Sequence, residues 1–208
     1  AMEQEIRHCV EALRESKDGL VRKKPAAGPD QPEAPGQVMH VKVRTGVAYI
    51  HVSWRRTENA KSYRIYICKN GKWALAGETS KTSFKIKNLV SGTKYTVKTS
   101  AVNSAGQGPY SAQVLTATSP KKVRLKYARR TGAGSVKLKW GSVKSSGYEI
   151  WMKYGKRSYK RAAVCRKPTA VKKWKRGRTY SVKIRAYVKN KNVTVYGAFS
   201  NVKKCRAR

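Results

Sequence analysis

The sequence predicts an all-β protein built from two tandem Greek-key β-sandwiches, preceded by a short N-terminal helix and a Pro-rich arm. Three observations support this prediction. A motif of a large apolar residue, a Gly and a Tyr occurs twice, in residues 89–101 and 174–186. A Trp-containing run precedes each copy. Apolar and polar residues alternate in both the motif and the runs, which is the pattern of half-buried strands.

The repeated motif predicts the same local structure in both copies. Gly92 and Gly177 mark tight turns, where a side chain would clash. Tyr95 and Tyr180 follow three residues later and open an alternating run. A Tyr in this place can bury its ring and turn its hydroxyl back to a nearby backbone group. That arrangement is the tyrosine corner of Greek-key sandwiches.

The upstream runs extend the repeat. Trp54 and Trp140 each end an alternating run, and Tyr63 and Tyr148 each open the next one. In this order and spacing, the Trp, Tyr, Gly and Tyr residues resemble the fibronectin type III module. The resemblance covers most of the chain and implies the sandwich fold. It does not imply one function, because such folds host many unrelated roles.

The N-terminal part differs in composition from the rest. We predict an amphipathic helix over residues 1–20, a Pro-rich linker over 21–36, a first module over 37–118 and a strongly basic second module over 119–208. Spacing of 3, 4 and 7 residues places an apolar stripe on one side of the helix, at Ile6, Val10, Leu13 and Leu20. The stripe indicates an anchoring or oligomerising helix, and a solvated tail is the alternative, since short isolated helices are marginal in water.

Alternation also predicts which side chains point inward. In the first module these are Ile50, Val52, Trp54, Tyr63, Ile65, Ile67, Phe84, Ile86, Leu89, Tyr95, Val97 and Ala101. In the second they are Val123, Leu125, Val136, Leu138, Trp140, Tyr148, Ile150, Met152, Val164, Trp174, Tyr180, Val182, Ile184 and Ala186. The segment 170–175 is basic and lacks clear alternation, so we expect a short or irregular strand there. Ser119-Pro120 leaves almost no linker, so the modules should touch end to end.

The net charge of +38 is the exceptional feature of the composition. Residues 119–208 hold 29 Lys and Arg but a single carboxylate, Glu149, whereas residues 1–34 are nearly neutral. Self-repulsion of this size opposes a compact state, which indicates a polyanionic partner. Ordinary surfaces mix both signs, so a merely solvated or deliberately supercharged surface is the less favoured interpretation.

The four cysteines, at positions 9, 68, 165 and 205, form no C-x-x-C pair, so the sequence supports no zinc site. The resemblance places Cys165 and Cys205 at opposite edges of one sheet, too far apart for a disulfide. We interpret all four as free thiols, which fits assembly in a reducing cytoplasm. No apolar run is long enough to span a membrane, and the N-terminus lacks the apolar core of a signal peptide.

Catalytic patterns are lacking in the sequence. The three histidines are scattered, and the second module has no carboxylate pair. Gly132-Ala133-Gly134 could open a phosphate-binding loop, but Lys137 replaces the third glycine of that motif, and a turn between two strands explains it better. We therefore predict a non-enzymatic protein without a metal or cofactor.

The predicted binding surface lies on the outer face of the second module. If Ile150 points inward, Trp151 points out, next to a strand that carries three further outward residues. An exposed Trp beside cations could stack on a sugar or base while the cations hold acidic groups. Cover by Arg185 or by a neighbouring subunit is the alternative for Trp151. The candidate binding residues are Trp151, Lys183, Arg185, Tyr187, Tyr154, Arg157, Tyr159, Arg161 and, in the matching place of the first module, Tyr66.

Three functions compete on these grounds. The first is a structural or adhesive virion component (capsid decoration, tail or fibre) that docks on an acidic protein surface, or on an anionic cell-wall polymer or glycan. It would belong to a larger or oligomeric assembly through its N-terminal segment. The second is sequence-independent nucleic-acid binding, which no recognised nucleic-acid-binding motif supports. The third is a polysaccharide-binding accessory module of a secreted enzyme, which would place the chain outside the cell or at its surface.

Overall fold

Sixteen short β-strands account for all the regular secondary structure in the computed structural model, which describes residues 32–207. The anchoring helix predicted for residues 1–20 lies outside the described residues. The first eight strands are β1 (Lys42–Thr45), β2 (Ile50–Ser53), β3 (Ser62–Lys69), β4 (Lys72–Thr79), β5 (Ser83–Ile86), β6 (Lys94–Asn103), β7 (Gly106–Gln107) and β8 (Val114–Ala117). The next eight are β9 (Leu125–Gly132), β10 (Ser135–Trp140), β11 (Gly147–Tyr154), β12 (Lys160–Cys165), β13 (Thr169–Lys173), β14 (Arg178–Asn190), β15 (Val193–Tyr196) and β16 (Lys203–Ala207).

The strands form two sandwiches of the same plan. In the first, a three-stranded sheet of order β1-β2-β5 packs on a five-stranded sheet of order β4-β3-β6-β7, with β8 also on β6. In the second, the three-stranded order is β13-β10-β9 and the five-stranded order is β12-β11-β14-β15, with β16 also on β14. All pairs are antiparallel. The predicted fold class is confirmed.

Two apolar clusters fill the sandwiches. Every residue predicted inward in the first module lies in its cluster or packs against it. The same holds in the second module, except for Val164, whose predicted orientation is wrong, since it is 52% exposed. Cys165 pairs with Tyr148 and takes the inward place, so Val164 lies opposite Glu149 on the outer face.

The local predictions around the repeat are confirmed. Gly92 and Gly177 have φ of 65° and 77°, the left-handed region that glycine adopts readily. The buried Tyr95 hydroxyl accepts a hydrogen bond from the Val90 N–H at 3.3 Å. The buried Tyr180 hydroxyl donates to the Lys175 carbonyl at 3.3 Å. Both modules therefore have a tyrosine corner.

The strand in the basic segment is more regular than its sequence indicates. β13 pairs with β10 over five residues in continuous register, from Ser135↔Lys173 to Lys139↔Thr169. Of the two expected alternatives, β13 is the short one: it has five residues but is regular, because main-chain pairing with β10 and the packing of Ala170 on the core set its register. The Gly132–Gly134 segment is the turn between β9 and β10, as predicted.

The two sandwiches touch at one end, as the missing linker predicts. The Asn190 side-chain amide in the second donates hydrogen bonds to the carbonyls of Tyr95 and Thr116 in the first, at 3.1 and 2.8 Å. At Gly92, an added Cβ would clash with the Lys144 carbonyl oxygen. Both sandwiches belong to one compact unit that begins at Ala34.

Candidate functional site

The outer face of the second five-stranded sheet carries a layer of aromatic rings and cations. Strand alternation turns Glu149 and Trp151 of β11 outward, and pairing brings Arg185 opposite Glu149 and Lys183 opposite Trp151. Phe199 adds its ring edge-on to Trp151, with centroids 5.7 Å apart. We call this layer the aromatic–cation ladder; its members are Glu149, Trp151, Tyr159, Arg161, Lys183, Arg185, Tyr187, Tyr196 and Phe199.

Two cations connect the rings of the ladder. The guanidinium carbon of Arg185 lies 3.9 Å from the ring centroid of Tyr196, 4.9 Å from that of Phe199 and 5.2 Å from that of Trp151. The ammonium of Lys183 lies 4.0 Å from Phe199 and 4.2 Å from Tyr159. Each such contact contributes about 0.5–1 kcal/mol at an exposed site and more where water is excluded. The two cations of the ladder are therefore already in contact with rings of the protein itself.

Glu149 is the acidic member of the ladder, and only 2% of it is exposed. Its carboxylate accepts hydrogen bonds from Arg161 Nη1 at 2.7 Å, Arg185 Nε at 2.8 Å and Trp151 Nε1 at 2.9 Å. Burial by itself would raise the pKa of Glu149, but the bonds from Arg161, Trp151 and Arg185 outweigh it and lower the pKa below its ordinary value. Glu149 is therefore a buried counter-ion for two arginines.

The structure brings six of the nine predicted site residues together. Trp151, Tyr159, Arg161, Lys183 and Arg185 meet in the ladder, and Tyr187 joins through Tyr196, with ring centroids 6.4 Å apart. Trp151 is half-buried, and Arg185 and Phe199 lie against its ring. This packing agrees with the second interpretation of Trp151 in the sequence analysis, in which Arg185 covers its ring.

The other three predicted residues lie elsewhere. Tyr154 points inward at the end of β11 and packs edge-on against the corner residue Tyr180. Arg157 and Arg178 cover its ring at 4.6 and 4.3 Å. Tyr66 belongs to the first module. Tyr154 and Arg157 thus form a cluster apart from the ladder, where the sequence predicted that they extend its patch, whereas Tyr66 lies opposite Lys98 in the matching place of the first module.

Three ladder residues were not predicted: Glu149, Tyr196 and Phe199. The repeat in the sequence could have predicted the position of Phe199. Gly108-Pro109-Tyr110-Ser111 and Gly197-Ala198-Phe199-Ser200 make matching backbone bonds, from Ser111 to the Thr99 carbonyl and from Ser200 to the Ile184 carbonyl. Aligning these segments would have placed Phe199 beside Lys183, as Tyr110 lies beside Lys98.

The first module has a smaller version of the ladder. The Lys98 ammonium lies 3.5 Å from the ring centroid of Tyr110, 4.6 Å from Trp73 and 5.7 Å from Tyr66. Glu78 accepts hydrogen bonds from Ser62 and Arg64, which lower its pKa below the ordinary value. In both modules, a lysine of the long central strand is thus held by rings next to an arginine–glutamate pair.

The three-stranded sheets present a different outer face. Lys137 and Lys139 of β10 point outward and are exposed, as predicted. Pairing places Arg129 of β9 beside Lys137, and Lys173 of β13 beside Ser135. Among residues 32–207, none of these four cations has an ion-pair partner, and no cluster of His, Cys, Asp or Glu could hold a metal ion. Nor does this described range contain a helix suited to crossing a membrane.

The strand order of both sandwiches defines a tandem β-sandwich protein. The protein-family model for the fibronectin type III domain matches residues 33–117 of the sequence. A two-domain fibronectin type III segment from chicken tenascin is 17% identical, covers 81% of this chain and 98% of its own, and has a TM-score of 0.51. Residues 33–117 are therefore similar to a fibronectin type III domain, and the tandem fold is fibronectin type III-like.

Two further solved structures are similar at lower scores. The FN1-FN3 domains of chicken CNTN1 are 20% identical, with a TM-score of 0.38, over 83% of this chain and 66% of that one. The protein FN3tt is 24% identical, with a TM-score of 0.39, over 41% of this chain and 96% of its own. The comparison with curated proteins found no match. Domains of this fold are generally structural, adhesive or binding modules and are typically non-catalytic.

Proposed function

We propose that this chain is a non-enzymatic structural or adhesive protein that docks its basic sandwiches on an acidic partner. The observation that carries the proposal is the burial of Glu149. The second module has 29 Lys and Arg, and its single side-chain carboxylate is enclosed by Arg161 and Arg185. The exposed surface of this module therefore has no acidic side chain to offset its cations, and an anionic partner would relieve their repulsion.

The partner surface in this proposal is the acidic protein shell, tail or fibre of a virion assembled in the host cytoplasm, or an anionic cell-wall polymer. Cys68, Cys165 and Cys205 are free thiols, which supports assembly under reducing conditions. Cys165 and Cys205 lie on β12 and β16, with β11 and β14 between them, so the fold does not favour a bond between them.

A non-enzymatic role fits the chemistry of the candidate site. The carboxylate of Glu149 is occupied by three donors and has no free oxygen facing solvent. Burial raises the pKa of the Cys165 and Cys205 thiols above the ordinary value, which makes them poor nucleophiles at neutral pH. The arrangement can hold a surface in place and attract anions, but it lacks an activated nucleophile.

The test is a co-sedimentation experiment with the full chain across a series of NaCl concentrations. Purified virions, cell walls, an anionic glycan and duplex DNA are compared as partners. We expect retention on virions or cell walls that weakens steadily as salt rises, because the contacts are between exposed charges. Strong retention on duplex DNA, without preference for the other surfaces, would instead establish the nucleic-acid-binding alternative.

A further inference from the structure

In the second sandwich, the cations on the central strands of the two sheets differ in their surroundings. On the five-stranded sheet of the second sandwich, Arg161 and Arg185 bind Glu149, and Lys183 lies between rings. On the three-stranded sheet, Lys137 and Lys139 project into solvent. Cations already satisfied inside the protein gain little from an external anion, whereas exposed unpaired cations keep their full field. The three-stranded sheet is therefore the stronger candidate for docking.

The distribution of carboxylates separates the sheets in the same way. In the described part of the chain, the two carboxylates located on strands are Glu78 on β4 and Glu149 on β11, and both strands belong to five-stranded sheets. Strands β1, β2, β5, β9, β10 and β13 carry none. In the first sandwich, Arg44, His51 and Lys85 stand side by side across the three-stranded sheet. The outer faces of both three-stranded sheets therefore bear cationic or neutral side chains alone.

We propose that the outer face of β13-β10-β9 binds a linear polyol-phosphate polymer, with poly(glycerol phosphate) as its simplest form, through Arg129, Lys137, Lys139 and Lys173. We call these four residues the lysine face. This inference rests on the proposed function and names the docking face and the chemistry of its ligand. Lys137 and Lys139 are two residues apart, about 7 Å along the strand, and neighbouring strands lie about 4.8 Å away. The face thus presents four positive charges around the exposed Val171, which lies opposite Lys137.

The residue types suit a flexible polymer that carries one charge per repeat, as a polyol phosphate does. Three of the four cations are lysines, whose compact ammonium groups match singly charged phosphate oxygens without requiring a fixed geometry. Arginine forks bind carboxylates and phosphates in a fixed bidentate geometry, and in this module two arginines are already bound to a carboxylate, that of Glu149. A rigid acidic protein surface, whose carboxylates are fixed in place, is the less suitable partner for point charges that can follow a flexible chain.

The aromatic residues of these faces argue against single-stranded nucleic acid. Such strands are bound by stacking bases on free aromatic rings between cations. On the three-stranded sheet, the ring of Tyr127 is covered by Arg129, at 4.8 Å from its centroid. In the first module, the ring of Tyr49 is covered by Lys85 at 4.0 Å. A polymer with phosphates but no bases makes full use of the cations and needs no rings.

The test compares two double variants of the full chain. K137Q/K139Q removes two charges from the lysine face, and K203Q/K204Q removes two exposed charges from β16 on the other sheet. Binding of poly(glycerol phosphate) is measured by titration at several NaCl concentrations. We expect K137Q/K139Q to reduce the log–log salt slope by about 1.4, the value for two contacts on a flexible polyanion. Its affinity should fall roughly 30-fold at low salt, with little change for K203Q/K204Q.

Three outcomes would overturn the inference. Equal losses in the two variants would show that net charge alone decides binding, while the proposed function would stand. Tighter binding of the unaltered chain to polyglutamate or duplex DNA than to poly(glycerol phosphate) would reject the ligand class. Failure to bind any of the three polyanions would reject the proposed function as well. Thermal melting checks that both variants fold, which we expect since all four lysines are exposed.

Discussion

At the scale of single residues, Glu149 shows how a strongly basic module tolerates its own charge. One buried carboxylate accepts three hydrogen bonds and holds Arg161, Arg185 and Trp151 together on the sheet surface. A buried carboxylate is costly unless it is paired and hydrogen-bonded. Here every donor comes from an adjacent strand or from β11 itself, so the pairing follows directly from strand register.

Replacing this carboxylate by an amide tests its role. We expect Glu149→Gln to reduce the free energy of unfolding at pH 7 by about 2–3 kcal/mol, because Arg185 loses its counter-ion in a largely buried place. Chemical denaturation measures the change. Arg161→Ala is the control: its side chain is 53% exposed, so its loss should cost no more than about 1 kcal/mol. A larger effect for Arg161→Ala than for Glu149→Gln would contradict this account.

The same carboxylate predicts how stability depends on pH. The folded-state pKa of Glu149 is lowered, so its contribution is complete above the unfolded-state pKa, near 4.3, and is lost as pH falls through the folded-state value. Unfolding curves at pH 7, 5, 4 and 3 should therefore show the unaltered protein losing more stability than Glu149→Gln below pH about 4.3. Parallel losses in both proteins would place the acid sensitivity elsewhere, for example at Glu78.

At the scale of elements, the tyrosine corners connect the repeat in the sequence with the closure of each sandwich. Tyr95 and Tyr180 have buried rings, and each hydroxyl reaches a backbone group five residues upstream. The two bonds differ in direction, since Tyr95 accepts from an N–H and Tyr180 donates to a carbonyl. Tyr suits this position because its apolar ring can be buried in the core while its hydroxyl forms a hydrogen bond with the backbone.

Removing the hydroxyls should weaken both modules. Tyr95→Phe and Tyr180→Phe keep the apolar ring and lose one hydrogen bond each, so we expect each to cost about 1 kcal/mol. Denaturant unfolding of the two single variants and the double variant measures the costs. Because the corners are in different sandwiches, the double variant should show the sum of the two effects. A cost near zero for either residue would mean that water replaces the bond fully.

At the scale of the whole molecule, the contact between the sandwiches relies on a buried amide. Asn190 ends the long strand β14 and gives both of its side-chain N–H groups to carbonyls of the first sandwich. One buried side chain thus bonds both members of the directly opposed Tyr95–Thr116 pair of β6 and β8. The bonds are directional, so they set the position of one sandwich against the other more specifically than apolar contact would.

Truncating this amide should loosen the junction. Asn190→Ala removes the two hydrogen bonds to the Tyr95 and Thr116 carbonyls, which should cost about 1–3 kcal/mol in total. We expect the two sandwiches to orient independently, so residual dipolar couplings should require separate alignment tensors. Asn192→Ala, an exposed position in the same hairpin, is the control and should leave the alignment unchanged. A single shared tensor for Asn190→Ala would show that apolar contacts suffice.

The sequence alone determined the fold class, the two corners and nearly all of the core, because each depends on local alternation and on residues that a turn or a buried hydroxyl requires. It did not determine the phase of β12. There the two apolar candidates, Val164 and Cys165, are adjacent, so only one of them can point inward. Pairing with β11 turns Cys165 inward and Val164 outward. Alternation also turned Trp151 outward correctly but could not show what would lie beside it.

Only the tertiary structure decided which cations are free. In the sequence, Lys183 and Arg185 alternate with apolar residues just as Lys137 and Lys139 do. In the folded sheet, strand pairing places Glu149 opposite Arg185, and the segment after β15 places Phe199 beside Lys183. No ion pair among residues 32–207 includes Lys137 or Lys139. The difference comes from residues far apart in the chain, and an ion pair or ring contact acts only over a few ångströms, so the folded sheet had to bring the partners together.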